Sequence, residues 1–172
     1  MTTFATWSAV VEHLDAHAGP ATPAQRELAE LIGHPLDIAT PASVAAAEIE
    51  AALSPRIHGY EQPVATEAQA RYLEALAGQA LAPNMPRLVA SAWIDHYLGR
   101  RTAHALQEFG LEAGMEVSEH REWVDEATGE IHSYENRRVV SSIGLNGLVY
   151  FRGGGGACAW PTNLRRTSPP EP

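Results

Sequence analysis

Apolar positions recur at three- and four-residue steps through the first two thirds of the chain and alternate in the last third. Trp7, Val10, Val11 and Leu14 mark one face of a short helix over Trp7–His17, and Gly19-Pro20 ends it. Thr22 has N-cap chemistry and precedes Pro23, whose fixed φ suits a first helical position. The second helix therefore runs to about Ile32, where Gly33 and Pro35 stop it. Thr40-Pro41 repeats the start signal, and the third helix carries Val44, Ile49 and Leu53 as far as Pro55. Arg56–Val64, with Gly59 and Pro63, is a linker. A last helix over about Arg101–Phe109 leads to Gly110.

The pattern then proves to be repeated. Thr22, Gln25, Leu28 and Ile32 are answered by Thr66, Gln69, Tyr72 and Leu76. With one residue inserted in the intervening loop, Val44, Ile49 and Leu53 are answered by Val89, Ile94 and Leu98. A helix–loop–helix unit is thus used twice, over 22–53 and 66–98, and two copies pack as a compact pair rather than a solenoid. Thr66, Gln69, Leu73, Ala90, Ser91, Ile94 and Leu98 form a pattern that resembles short helical modules of bacteriophage and plasmid DNA-metabolism proteins. Its layout is similar to SAP-like helix–extended loop–helix units. Copy one has Ala45-Ala46 where copy two has Ala90-Ser91. SAP-like units that grip DNA carry basic helices, whereas these copies are acidic, so a structural or partner-binding role is expected of them.

From residue 111 the period becomes two. Met115–Val124 and Glu130–Tyr134 read as strands joined by a hairpin loop at Asp125–Gly129. Further runs lie at Val139, Val140 and Ile143, at Leu148–Phe151 and at Ala157–Trp160. Asn146-Gly147 is a two-residue hairpin signal, and Gly153–Gly156 supplies a flexible second turn. Five short strands at this spacing favour a closed barrel. A turn glycine before an alternating run, and the ending Ala159-Trp-Pro-Thr-Asn-Leu164, resemble the start and the closing turn of SH3-like barrels. The expected fold class is therefore α+β. An acidic, duplicated helical part (1–110) precedes a small antiparallel SH3-like β-barrel (111–166) and a disordered tail (167–172).

A length of 172 residues fits one large or two small domains. Charge is uneven within a formal net of −9. Residues 1–112 hold 13 acids and 6 arginines, while residues 113–172 hold 8 acids and 6 arginines. Every strong cation is arginine, since lysine is absent. The single Cys158 excludes an intramolecular disulfide framework and a multi-cysteine zinc site, which suits a reducing compartment. The N-terminal stretch has no basic flank and meets Glu12 early, unlike a signal peptide. No apolar run approaches the ~18 residues of a membrane span. A cytoplasmic protein without membrane contact is expected.

Residues 136–170 contain no Asp or Glu and five arginines, a local reversal of sign. Arg137, Arg138, Arg152, Arg165 and Arg166 are the candidate phosphate contacts, and Trp123, Tyr150 and Trp160 the candidate stacking rings. Arg137 and Arg138 are adjacent in a strand, so only one of them joins any one patch. Trp160 or Tyr150 could instead fill a barrel core. Catalytic patterns are missing. Cys158 has no histidine partner in sequence, Ser141-Ser142 lacks a nucleophile elbow, and the glycine run is not followed by Lys-Ser or Lys-Thr. His13 and His17 share i, i+4 spacing but lack a fixed third ligand, so exposed helix histidines are the expectation and no metal or cofactor is assigned. His120 and His132 are expected as cross-strand neighbours.

The expected function is therefore non-enzymatic: an accessory protein of phage or mobile-element type that contacts DNA or RNA through the arginine face. The alternative is an adaptor or inhibitor that binds a host or phage protein, such as a host nucleic-acid enzyme, through its acidic helices.

Overall fold

The structure is a computed structural model and describes residues 3–4, 6–78, 82–125, 128–153 and 155–167; the side chains at 3, 4, 17 and 121 lie outside those described. Five helices precede most of the sheet: α1 (Trp7–Ala18), α2 (Pro23–Leu31), α3 (Ala42–His58), α4 (Glu67–Ala77) and α5 (Arg87–Phe109). The strands are β1 (Thr3–Phe4), β2 (Glu116–Val124), β3 (Ile131–Gly144), β4 (Val149–Phe151), β5 (Cys158–Ala159) and β6 (Leu164–Arg166). The fold is α+β, as the change of period requires. Contacts divide the chain into two units, residues 15–100 and residues 1–14 with 101–172, so α1 and α5 each run from one unit into the other.

In the helical unit the duplication is visible atom by atom. Thr22 and Thr66 both close capping boxes: each hydroxyl accepts from the Gln25 or Gln69 amide at 3.2 Å, and each glutamine carbonyl accepts from the threonine amide. Both copies also tie their extended segments with paired backbone bonds. Ala21 N donates to Thr40 O (2.8 Å) and Ala42 N to Gly19 O (2.8 Å); Ala65 N donates to Met85 O (2.9 Å) and Arg87 N to Pro63 O (2.7 Å). These partners are offset by 44 residues on one side and 45 on the other, the same one-residue insertion seen in sequence. Val44 and Ala47 from copy one pack with Val89 from copy two to form the shared core.

Three helix limits differ from the sequence expectation. Helix α3 continues through Pro55 to His58 and ends at Gly59, whose φ of 71° supplies the left-handed cap. Pro55 is exposed near the last turn, and Ser54 Oγ bonds Glu50 O at 3.0 Å there. Pro41 rather than Thr40 is the N-cap of α3, and Thr40 is buried with its carbonyl in the bracket just described. The second helix expected in copy two and the helix expected over Arg101–Phe109 are one helix, α5, because Gly99 alone costs only about 1 kcal/mol and ends nothing.

The sheet runs β5-β4-β3-β2-β6, with β1 added to β3. It is open: β5 and β6 are its edges and no pairing joins them among the described residues, so the expected closed barrel is not formed. Only Trp160 and the three-residue 3-10 helix Pro161–Asn163 (η1) separate these edges in sequence. A flat sheet would hold them about 19 Å apart, farther than one 3-10 turn and its flanks can reach, so the sheet must be strongly curled. Two- and three-residue edge strands, with Pro161 lacking an amide between them, leave few groups to complete closure.

Strand β3 fuses two segments that the sequence separates. Positions 132–140 are buried or half-buried at even numbers; a bulge at Ser141 then shifts the buried positions to Ile143. The bulge hides the continuity, because Val140 and Ile143 are three apart. Gly144 O accepts from Gly147 N at 2.8 Å, so Asn146 and Gly147 close a longer loop rather than a two-residue turn. Gly147 has φ 81°, and a Cβ there would lie 2.1 Å from Thr102 Cγ2. The core below is Val10, Leu106, Leu111, Val117, Val140, Ile143, Val149, Phe151 and Leu164. Thr167, expected in the disordered tail, donates its hydroxyl to Glu116 O at 3.0 Å, and residues 168–172 lie outside the described residues.

Candidate nucleic-acid interface

Register decides which arginines can act together. Ser118 of β2 faces Arg137 on one side and Arg165 on the other, and Val117 likewise lies between Arg138 and Arg166. Directly opposed residues share a face. Arg165 and Arg137 therefore form a row on one face, the outer one, and Arg166 and Arg138 a row on the other. The adjacent pairs Arg137-Arg138 and Arg165-Arg166 are both split in this way, so the five arginines do not make one patch.

Arg138 belongs to an internal network. Glu119 is 3% exposed; its Oε2 accepts from the Tyr134 hydroxyl at 2.8 Å and from Arg138 Nε at 3.4 Å. The Tyr134 hydroxyl, as the largest cause, and the Glu119 carboxylate together raise the pKa of Arg138 above the ordinary arginine value, against an opposing effect of burial that ranks second. The Phe151 ring lies 5.9 Å from its guanidinium carbon. Removing any member would strand a buried polar group, so this network is structural.

The outer row is freer. Arg137 is exposed and only 3.8 Å from the Glu116 carboxylate, a surface pair that contributes at most about 1 kcal/mol and can yield to a phosphate. Arg152 is exposed, its amide bonds Val139 O at 2.8 Å, and its guanidinium lies beside Gly114. Arg165 is exposed and borders a cleft of about 700 Å3, lined also by Phe109, His120, Glu122, Trp160 and Asn163. Trp160 is 41% exposed there. The 3-10 turn positions it: Asn163 N bonds Trp160 O at 2.9 Å, and Pro161 is buried behind it. Within the cleft, His120 Nε2 sits 3.0 Å from Glu122 Oε1.

The other expected rings lie elsewhere. Trp123 is 52% exposed and stacks on His132 at 5.4 Å, on the face opposite the Arg165 row. Tyr150 is half-buried, opposite Ser142 and Cys158, with its ring against Gly144. His120 faces Glu135 and His132 faces Trp123, so the two histidines are not cross-strand neighbours. Cys158 is half-buried on β5. Among the described residues no three metal-ligating side chains come together, and the His17 side chain of the proposed i, i+4 pair lies outside them. No described helix is long and apolar enough to cross a membrane.

Sequence reasoning found Arg165 and Trp160 but missed Phe109, His120, Glu122 and Asn163. The spacing of His120 and Glu122, two apart in a strand, is the one local signal that they share a side. Comparison with known protein families, with curated proteins and with solved structures gave no match.

Proposed function

We propose that this protein acts by binding single-stranded nucleic acid, DNA or RNA, without catalysing a reaction. One observation carries the proposal: Trp160 and Arg165 border one open cleft, and Arg165 shares a strand-crossing row with Arg137. A base stacked on an exposed indole contributes about 1–3 kcal/mol whatever its identity. Guanidinium groups two strand spacings apart, roughly 10 Å, can follow a backbone across the sheet, with Arg152 extending the path. A duplex would need its bases unstacked to reach Trp160, so single strands are the favoured class.

The duplicated helix pairs and the arginine-bearing sheet fit a helper protein of nucleic-acid metabolism. On that reading the protein is an accessory factor of phage or mobile-element type that works in the cytoplasm, with the acidic helices limiting nonspecific contact. Binding of fluorescein-labelled 12-nucleotide strands by anisotropy tests it. Three neutralised phosphates predict that log K falls with log salt at a slope of about −2. Arg165→Ala should flatten this slope by about 0.7, and Trp160→Ala should weaken binding at every salt concentration. Absence of binding at low salt would refute the proposal.

A further inference from the structure

A second concavity lies in the helical unit, between α2 and α3 of copy one. This groove of about 350 Å3 has Ile49 and Leu53 along it and Leu28 and Ile57 at its lips, the last two 42% and 65% exposed. Its charged surroundings are one-sided. Arg26 turns inward, with Nε on Ala21 O at 3.1 Å and Nη2 on Ile38 O at 3.2 Å. Arg56 does the same, with Nη2 on Ile32 O at 3.2 Å. Glu50 on the groove wall is exposed and has no ion pair among the described residues, and Glu27, next to Leu28 on α2, is exposed likewise. Arg26 and Arg56 are engaged by backbone carbonyls and His58 on the groove wall stacks on Tyr60, while the Glu50 carboxylate beside the apolar trough remains open.

Copy two differs at the corresponding positions. Tyr72 replaces Leu28, Arg71 replaces Glu27 and forms an ion pair with Glu67, and Ser91 replaces Ala46. Ser91 is bound by Gln69 Nε2 at 2.9 Å, whereas Gln25 Nε2 reaches Ala42 O at 2.8 Å and leaves Ala46 to the groove. The scaffold is duplicated and the groove chemistry is not.

We propose that the α2–α3 groove docks an amphipathic helix of a partner protein whose apolar stripe is flanked by lysine or arginine. Helices lie in such grooves through apolar anchors at i, i+3 or i+4 and i+7. Glu50 and Glu27 select basic flanks and repel nucleic acid. The groove lies in a different unit from the Trp160 cleft, and the two proposals stand or fall separately.

The test uses the full chain and fluorescein-labelled 15-residue helical peptides with one leucine pattern and lysine, glutamine or glutamate at the remaining positions. The lysine peptide should bind most tightly, with an affinity that falls as salt rises. Leu28→Asp and Ile57→Asp should each weaken it about tenfold or more. Tyr72→Asp, at the corresponding place in copy two, should leave binding unchanged, as should Arg165→Ala. Glu27→Lys combined with Glu50→Lys alters only exposed side chains; it should weaken the lysine peptide about tenfold and spare the glutamine peptide. Failure of the lysine peptide to bind, equal binding of all three peptides, or indifference to these substitutions would overturn the proposal. Self-association of the protein alone that Leu28→Asp abolishes would assign the groove to a second copy and also overturn it.

Discussion

Gly147→Ala tests whether the β3–β4 loop is locked onto α5 by contact. Two penalties apply at this position. With φ at 81°, an alanine costs about 1–2 kcal/mol for left-handed backbone. Its Cβ would also sit 2.1 Å from Thr102 Cγ2, when carbon atoms in contact rest about 3.5–4.0 Å apart. Thr102 is 4% exposed, and Leu106 Cδ1 is 3.5 Å from the same point, so the methyl has little room to retreat. Overpacking of this kind costs about 1–3 kcal/mol. Reduced entropy of the unfolded chain returns up to about 1 kcal/mol, leaving an expected loss of roughly 2–4 kcal/mol. Urea unfolding monitored by circular dichroism measures it. Thr102→Ser removes Cγ2, so a double-mutant cycle should show the two substitutions coupled by at least about 1 kcal/mol in the favourable sense. A Gly147→Ala protein within about 0.5 kcal/mol of wild type, the usual scatter of surface substitutions, would refute the contact. So would strict additivity with Thr102→Ser.

The two capping boxes have matching geometry, so Thr22→Ala and Thr66→Ala should each cost about 1 kcal/mol, equal within a few tenths, in the same unfolding assay. Unequal losses would show that the copies are not energetically equivalent at their starts. His96 gives a pH prediction. Burial first, and then the Arg100 charge, lower its pKa below the ordinary 6.5, and its Nδ1 is buried without a hydrogen-bond partner among the described residues. The unfolded state then takes up the proton first. The stability linked to this group is complete above the unfolded pKa and is lost as pH falls through 6.5 toward the folded value. His96→Leu should therefore reduce the loss of urea midpoint between pH 7 and 5, and parallel pH profiles for variant and wild type would contradict this.

The helical unit was legible because its signals are local. Thr22, Gln25, Thr66 and Gln69 announce their caps within four residues, and the duplication checks each assignment against the other. Pro55 misled because proline near a last turn removes little, and Gly59 three residues past the linker's start supplied the actual stop. The sheet was less legible because its geometry depends on partners far away in sequence. The bulge at Ser141 erases the period of two at the place where β3 changes neighbours, and strand content alone says nothing about closure. The arginine cluster was visible as composition, but its division between two faces follows from the pairing of Ser118 with Arg137 and Arg165, which no single strand reveals. Glu119 was invisible as a buried anchor, since nothing in the sequence marks a glutamate that Tyr134 and Arg138 will enclose.

The central claim is that Trp160 and the outer arginine row bind single-stranded nucleic acid. Anisotropy of labelled single-stranded and duplex DNA and RNA at two salt concentrations addresses it, with wild type beside Trp160→Ala and the pair Arg137→Ala with Arg165→Ala. The account predicts preference for single strands, weakening by salt, a loss of about fivefold or more in Trp160→Ala, and a shallower salt dependence in the arginine variant. No binding to any probe at low salt, or binding that both variants retain in full, would contradict it.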